Sequence, residues 1–232
     1  MYLGLPLLLV LGQPDVGTAM VLVAIWGGMV LFSGITLRQL AVLTVIALTV
    51  ILTAWFYFFT AEQQSRIISF LAPASDPRGA GYHSIQATVA VGSGQIYGKG
   101  VGYGTQSRLR FLPESQNDFI YAAFTEEWGV AGAGVVFVLF GVIFWRLFRI
   151  ARRAEGNFAQ LFVIGFIMFL ASHIVIHIGM NTGMLPITGL SLPFMSYGGS
   201  LMVVLMAGLG IAESISTHSS FLSQRHSIQV LD

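Results

Sequence analysis

The sequence contains no cysteine, which excludes disulfide staples and thiolate metal sites and otherwise says little. Charge is nearly as scarce: 11 Lys or Arg and 10 Asp or Glu in 232 residues, 9% of the chain, against 55% hydrophobic residues. So few charges cannot keep so apolar a chain in water as a soluble domain. There is no basic stripe suited to nucleic acid, and a net charge of +1 names no partner. No internal repeat of the kind that builds inverted-repeat transporters is visible. The apolar stub Met1–Gly12 has no Lys or Arg before it and no small-residue cleavage site after it, so it reads poorly as a secretory signal.

What the chain does have is long uncharged runs. Val16 to Leu37, Gln39 to Ala61 and Asn157 to Ala212 carry no Asp, Glu, Lys or Arg. About 20 apolar residues cross a bilayer core as a helix. The first two runs therefore supply one span each, and the third supplies two, broken at Asn181–Pro193. A further span runs from Phe119 to Trp145. The expectation is an all-α, polytopic membrane helix bundle with five full spans. Met1–Gly12 adds a partial span that reads as the second half of a helix whose start is missing.

The arginines set the orientation. Arg146, Arg149, Arg152 and Arg153 crowd one connection, which the positive-inside tendency places in the cytoplasm. Counting spans puts the insert 62–118, the Gln13-Pro14-Asp15 turn and the Asn181–Pro193 segment together on the extracytoplasmic side. The expected division is a membrane domain over 1–216 and a cytoplasmic tail over 217–232. Nine of the 21 charged residues lie between Glu62 and Asp118, so the chemistry is concentrated in that insert.

Within the insert, Pro113 suits the first turn of a helix, which would put Glu114 and Asp118 on one face. Two such carboxylates can act as a general base and a neighbour that tunes it. Ser115 and Asp118 also fit a capping box, and spacing alone favours that cap. Arg66, Arg78, Lys99, Arg108 and Arg110 stand among Gly92, Gly94, Gly98, Gly100, Gly102 and Gly104. Such a loop either brings backbone N–H groups and cations to an anion, or is a flexible loop with solvated charges.

Elsewhere, Gln13-Pro14-Asp15 reads as a helix start capped by Asp15. His173 and His177 have metal-ligand spacing but no third ligand, and a hydrogen-bonded pair facing the bundle is favoured. At least one of Glu126 and Glu127 should face the bundle interior. Asn181 to Ser200, with Ser196 and Gly198 near its end, reads as a broken hairpin forming a groove wall, since non-helical backbone at membrane depth needs cover.

These segments resemble the SEDS family of bacterial shape, elongation, division and sporulation proteins. The resemblance rests on Gln13–Thr18, Arg66…Phe70-Leu71, Asp76-Pro77, Gly81-Tyr82-His83, Gly98-Lys99-Gly100, Leu112-Pro113-Glu114…Asp118-Phe119-Ile120, Leu185-Pro186-x-Thr188-Gly189, and Ser196-Tyr197-Gly198-Gly199-Ser200. It extends to about Ser216. Gly79–His83 and Gly104-Thr105-Gln106 are closer to the elongation branch than to the division branch. Gln116 and Asn117 stand where the family usually has His-Thr, and His177 where it has Asn.

The resemblance implies a fold of about ten spans, of which this chain would be the C-terminal part, in the bacterial cytoplasmic membrane. It implies a peptidoglycan glycosyltransferase that polymerises lipid II on the outer face, beside a class B penicillin-binding protein. Asp118 would be catalytic, with Arg66, Lys99 and Glu114 binding substrate; Gln13, Asp15, Ser196 and Gly198 would serve as groove or structural positions. No cofactor is implied, and assistance by a divalent cation stays open. The rivals are a lipid II flippase and a non-catalytic membrane subunit that activates a synthase.

Overall fold

The computed structural model describes residues 3–13, 15–57, 59–72, 80–109, 111–112 and 114–229. Pro14, Asp76, Pro77, Arg78, Gly79, Arg110 and Pro113 lie outside the described residues. Among the described residues every regular element is a helix. They are α1 (Gly4–Gly12), α2 (Val16–Phe32), α3 (Leu37–Tyr57), α4 (Ala61–Leu71), α5 (Ala80–Ser93), α6 (Thr105–Arg108), α7 (Ile120–Arg153), α8 (Asn157–Asn181) and α9 (Gly199–Gln229).

Helices α3, α7, α8 and α9 are long and apolar enough to cross a membrane. Helix α2, at 17 residues, reaches about 25 Å at 1.5 Å per residue, close to the thickness of a bilayer core. The protein is a multi-pass helical membrane protein, as its uncharged runs predict, and α9 continues through the expected tail to Gln229.

Helix α8 is the axis of the bundle. It is mostly buried, whereas α7 and α9 are largely exposed and the described side chains of α3 are not buried. Leu147 and Ile150 of α7 pack with Val163, Ile167 and Leu170 of α8 and with Leu205 and Ala212 of α9. Small residues set the helix approaches: Gly28 of α2 lies against Met168, and Gly208 of α9 against Phe166. Within lipid, where the hydrophobic effect between helices is weak, such close van der Waals packing is what holds helices together.

The described parts of the insert carry α4, α5 and the short α6. A capping box in which Thr60 and Gln63 satisfy each other's backbone N–H groups starts α4. Helix α5 then lies on α7, where Ala87, Ala90 and Ala122 leave room for Leu112 and Phe119 in a shared apolar cluster.

Helix α7 is broken at Gly129, whose φ is +65°, and the segment after α5 is spliced into the break. Val130 and Ala131 donate their backbone N–H groups to the carbonyls of Gln95 and Ile96 at 2.9 and 3.0 Å. Lys99 and Gly100 donate theirs to the carbonyls of Glu126 and Glu127, both at 3.0 Å. The bonds lost by the helix are thus remade with the loop. A Cβ at Gly94, Gly98 or Gly129 would collide with backbone across this junction. At this point the glycines permit backbone contact, and the backbone N–H groups of Lys99 and Gly100 are spent on α7 carbonyls.

The helix expected at Pro113 starts later. Glu114 takes a left-handed φ of +50°, rare for a non-glycine residue, and its carbonyl accepts from Asn117 N–H at 2.9 Å and Phe119 N–H at 3.3 Å. A turn over 114–119 results, and α7 begins at Ile120 with Phe119 at its N-cap and no side-chain cap. The capping box of Ser115 and Asp118 does not form. An orphan donor of the first turn, the Ala122 N–H, is satisfied from another helix, by Asn181 Oδ1 at 3.1 Å.

Candidate active site

Of the four charged residues expected to act in catalysis or substrate binding, three meet at the mouth of α7. Asp118 is half-buried on the 114–119 turn. Burial pushes its carboxyl above the usual carboxylate range, the nearby charge of Glu114 pushes it further the same way, and Arg66 opposes both. Arg66 comes from α4 and, with Ser69, Phe70 and Ser84, lines a small cavity against Pro186 and Ile187. Glu114 is exposed, and its Oε2 accepts from Asn117 Nδ2 at 2.8 Å, which holds it on the same turn.

The fourth, Lys99, is placed on a different carboxylate. Its Nζ donates to Glu126 Oε1 at 2.8 Å and to Thr105 Oγ1 at 2.9 Å, and its side chain is 30% exposed. Glu126 is fully buried. Its Oε1 also accepts from the backbone N–H of Thr105 at 2.8 Å, and its Oε2 from that of Gln106 at 3.1 Å, so one carboxylate fastens the start of α6. Glu126 is the interior glutamate anticipated from the pair; Glu127 is partly exposed.

The broken hairpin between α8 and α9 supports the Asp118 turn from below. Asn181 Nδ2 donates to the Asp118 carbonyl at 2.9 Å and to the His177 carbonyl at 2.8 Å. Ser196 Oγ donates to the Asn117 carbonyl at 3.0 Å and accepts from Leu192 N–H at 2.7 Å. The Tyr197 N–H donates to the Gln116 carbonyl at 3.0 Å. Gly189, at φ +72°, sits beside the Asp118 carboxylate: a Cβ there would lie 3.7 Å from Oδ2. Gly198 faces open space and its carbonyl accepts from Met202 N–H, within the first turn of α9.

His173 and His177 are the hydrogen-bonded pair the sequence favours. Their Nδ1 atoms donate to the Ser191 carbonyl at 3.1 Å and the Leu190 carbonyl at 2.6 Å, which ties the hairpin to α8. Asp15 caps α2, accepting from Thr18 N–H at 2.9 Å and from Thr18 Oγ1 at 2.6 Å. That start is close to the site: Gly17 packs on Thr188 and Leu190. Gln13 is exposed at the end of α1. Among the described residues no group of three His, Asp or Glu could hold a metal ion.

Sequence reasoning missed Asn181 and Glu126 as organisers of the site. The one signal either gives is a polar side chain inside or beside an apolar run, which is costly unless satisfied.

The model of the FtsW, RodA and SpoVE family, described as cell cycle proteins, matches residues 1–221. The peptidoglycan glycosyltransferase MrdB of Escherichia coli (strain K12) is 44% identical over 221 residues, 95% of this chain and 60% of its own length. Stage V sporulation protein E of Bacillus subtilis (strain 168) is 36% identical over 220 residues, 92% of this chain and 58% of its own. A solved structure described as showing the coordination of polymerization and crosslinking by a peptidoglycan synthase complex superposes with a TM-score of 0.71. It is 30% identical and covers 90% of this chain and 57% of that one. A mutant of the Thermus thermophilus rod shape determining protein RodA gives 0.58 at 25% identity, over 91% of this chain and 52% of that one. The chain spans about 60% of the length of the curated relatives it matches.

Proposed function

The chain belongs to the FtsW, RodA and SpoVE family, and from that premise we propose that it forms the catalytic part of a peptidoglycan glycosyltransferase, with Asp118 as general base. The protein joins the disaccharide units of lipid II into glycan strands for cell-wall elongation. It works in the bacterial inner membrane with its active face outside, beside a class B penicillin-binding protein that cross-links the product. The observation that carries this reading is the setting of Asp118: a half-buried carboxylate flanked by Glu114 and Arg66, on a turn fixed by Asn181 and Ser196.

The chemistry follows from that setting. An acceptor sugar hydroxyl gives its proton to Asp118 as its oxygen attacks the donor's anomeric carbon. The bond from that carbon to the polyprenyl diphosphate breaks, and the diphosphate leaves with the electron pair. A carboxyl whose proton affinity is raised toward the working pH is a better base than an ordinary one. A single displacement of this kind inverts the anomeric centre. Arg66 binds the departing diphosphate, since preorganised cations stabilise charge as it develops. Lys99 is the second cation: Glu126 and Thr105 use two of its three ammonium hydrogens and one remains for a phosphate oxygen.

A flippase would want ionisable groups along a path through the bilayer. Asp118, Glu114, Arg66, Lys99 and Glu126 gather at one end of α7, which favours surface catalysis. A non-catalytic subunit would have no use for a carboxylate with raised proton affinity next to an arginine. The test is polymerisation of purified lipid II by the full-length protein in liposomes. Growing glycan strands are expected, and flipping without polymer would overturn the reading.

A further inference from the structure

The four arginines at the far end of α7 do two different jobs. Arg146 reaches Glu213 on α9 at 3.1 Å, an exposed ion pair between neighbouring helices. Arg149, Arg152 and Arg153 face away from the core, whose α7 residues here are Leu147, Ile150 and Ala151. Among the described residues these three make no ion pair. The Arg149 guanidinium lies 4.4 Å from the ring centroid of Trp145, a cation–π contact that fixes it in place. Together with Trp145 and Phe148 the three arginines line an open pocket of about 490 Å³ on the outer face of α7.

We propose that this open pocket holds an anionic glycerophospholipid, with its phosphate on Arg149, Arg152 and Arg153 and its glycerol and upper acyl chain along Trp145 and Phe148. The depth fits. From Trp145 to Arg153 is about 12 Å along a helix, which spans the headgroup layer and the edge of the hydrocarbon. Trp is at home at that edge, and arginine forks grip phosphate oxygens in pairs.

A topology signal alone needs only positive charge near the span. Here the charge lies within the helix, on one outward face, with Arg149 already held over the Trp145 ring. Glu155, in the turn that follows, is occupied by an interaction of its own.

The experiment is native mass spectrometry of the full-length protein in detergent. It is titrated with phosphatidylglycerol and, separately, with phosphatidylcholine carrying the same acyl chains. The wild type should bind phosphatidylglycerol about tenfold or more tightly, given the attraction each basic residue near a membrane adds. Arg149→Gln/Arg152→Gln/Arg153→Gln should bring the two lipids level. Arg152→Lys/Arg153→Lys, which keeps the charge and the topology signal, should retain a reduced preference. Equal binding of both lipids by the wild type would overturn the proposal whatever the variants do. So would undiminished phosphatidylglycerol binding by a folded triple variant. Displacement of the lipid by equimolar glycerol 3-phosphate would instead make this a site for free phosphate, and the lipid assignment would fall.

Discussion

Asn181, the last residue of α8, holds Asp118 in place through the main chain: its Nδ2 donates to the Asp118 carbonyl at 2.9 Å, and its Oδ1 accepts from the Ala122 N–H at 3.1 Å. Two helices that are 59 residues apart in sequence at that contact thereby fix where the carboxylate stands. The Asn181 side chain is fully buried, so each bond it loses leaves a backbone group without water to replace it.

Asn181→Ala should therefore cost about 2–3 kcal/mol of stability, at roughly 1 kcal/mol for each of its three bonds. It should also lower glycan polymerisation at least tenfold, because misplacing a catalytic group by about 1 Å costs that much or more. Thermal unfolding and polymerisation from lipid II, measured on the same preparation, check both. Unchanged turnover would show that the turn holds Asp118 without help from α8.

The neighbours of Asp118 make opposite demands on the pH profile. If Asp118 is the base, kcat/KM falls on the acid side as it takes up a proton, at a pH above the ordinary carboxylate range. Glu114 raises its proton affinity and Arg66 lowers it. Glu114→Gln should therefore move the acid limb to lower pH, and Arg66→Gln should move it to higher pH. A limb that moves the same way in both variants, or in neither, belongs to another group.

The pair of Lys99 and Glu126 should show strong coupling. Glu126 is fully buried, so losing the 30%-exposed Lys99 strands its carboxylate, at about 3 kcal/mol or more. Lys99→Met should destabilise strongly, and adding Glu126→Met should recover only part of the loss, because the Thr105 and Gln106 N–H groups then lose their acceptor. Polymerisation should not recover in the double variant, since the ammonium is gone. If the double variant is active, Lys99 is a structural latch and Arg66 alone meets the diphosphate.

Much of this architecture is legible in the residues. Uncharged runs give the spans, and Pro and Gly within 181–199 give the hairpin. Asp15 caps α2 as its type and place suggest. What is hidden is tertiary. Ser115-x-x-Asp118 has the form of a cap, but the first-turn donor is taken by Asn181 from a distant helix, and a local pattern cannot show that. The glycines from Gly94 to Gly104 look like an anion loop because only the fold reveals the break at Gly129 that Gly94 and Gly98 press against. Lys99 and Glu126 are 27 residues apart, and nothing in their spacing joins them.

The orientation is tested in intact cells, because the chain has no cysteine of its own. Tyr97→Cys lies on the insert, where Tyr97 is 85% exposed, and Asn157→Cys lies beside the arginine end of α7. A membrane-impermeant maleimide should label the first and spare the second. The reverse pattern would turn the active face toward the cytoplasm.

The central claim is that Asp118 is a base and not a structural acceptor, and Asp118→Asn tests it most directly when turnover and stability are read together. Asn keeps the shape and loses the ionisable proton site. Because the folded protein holds this proton more tightly than the unfolded chain does, ionised Asp118 opposes folding once the pH passes the ordinary carboxylate range. The variant should therefore be at least as stable as wild type at neutral pH, and its advantage should shrink in acid. Lipid II polymerisation should fall by roughly 10²–10⁴. Retained polymerisation by a stable Asp118→Asn protein would contradict the account and leave Asp118 as a structural residue of the turn at the mouth of α7.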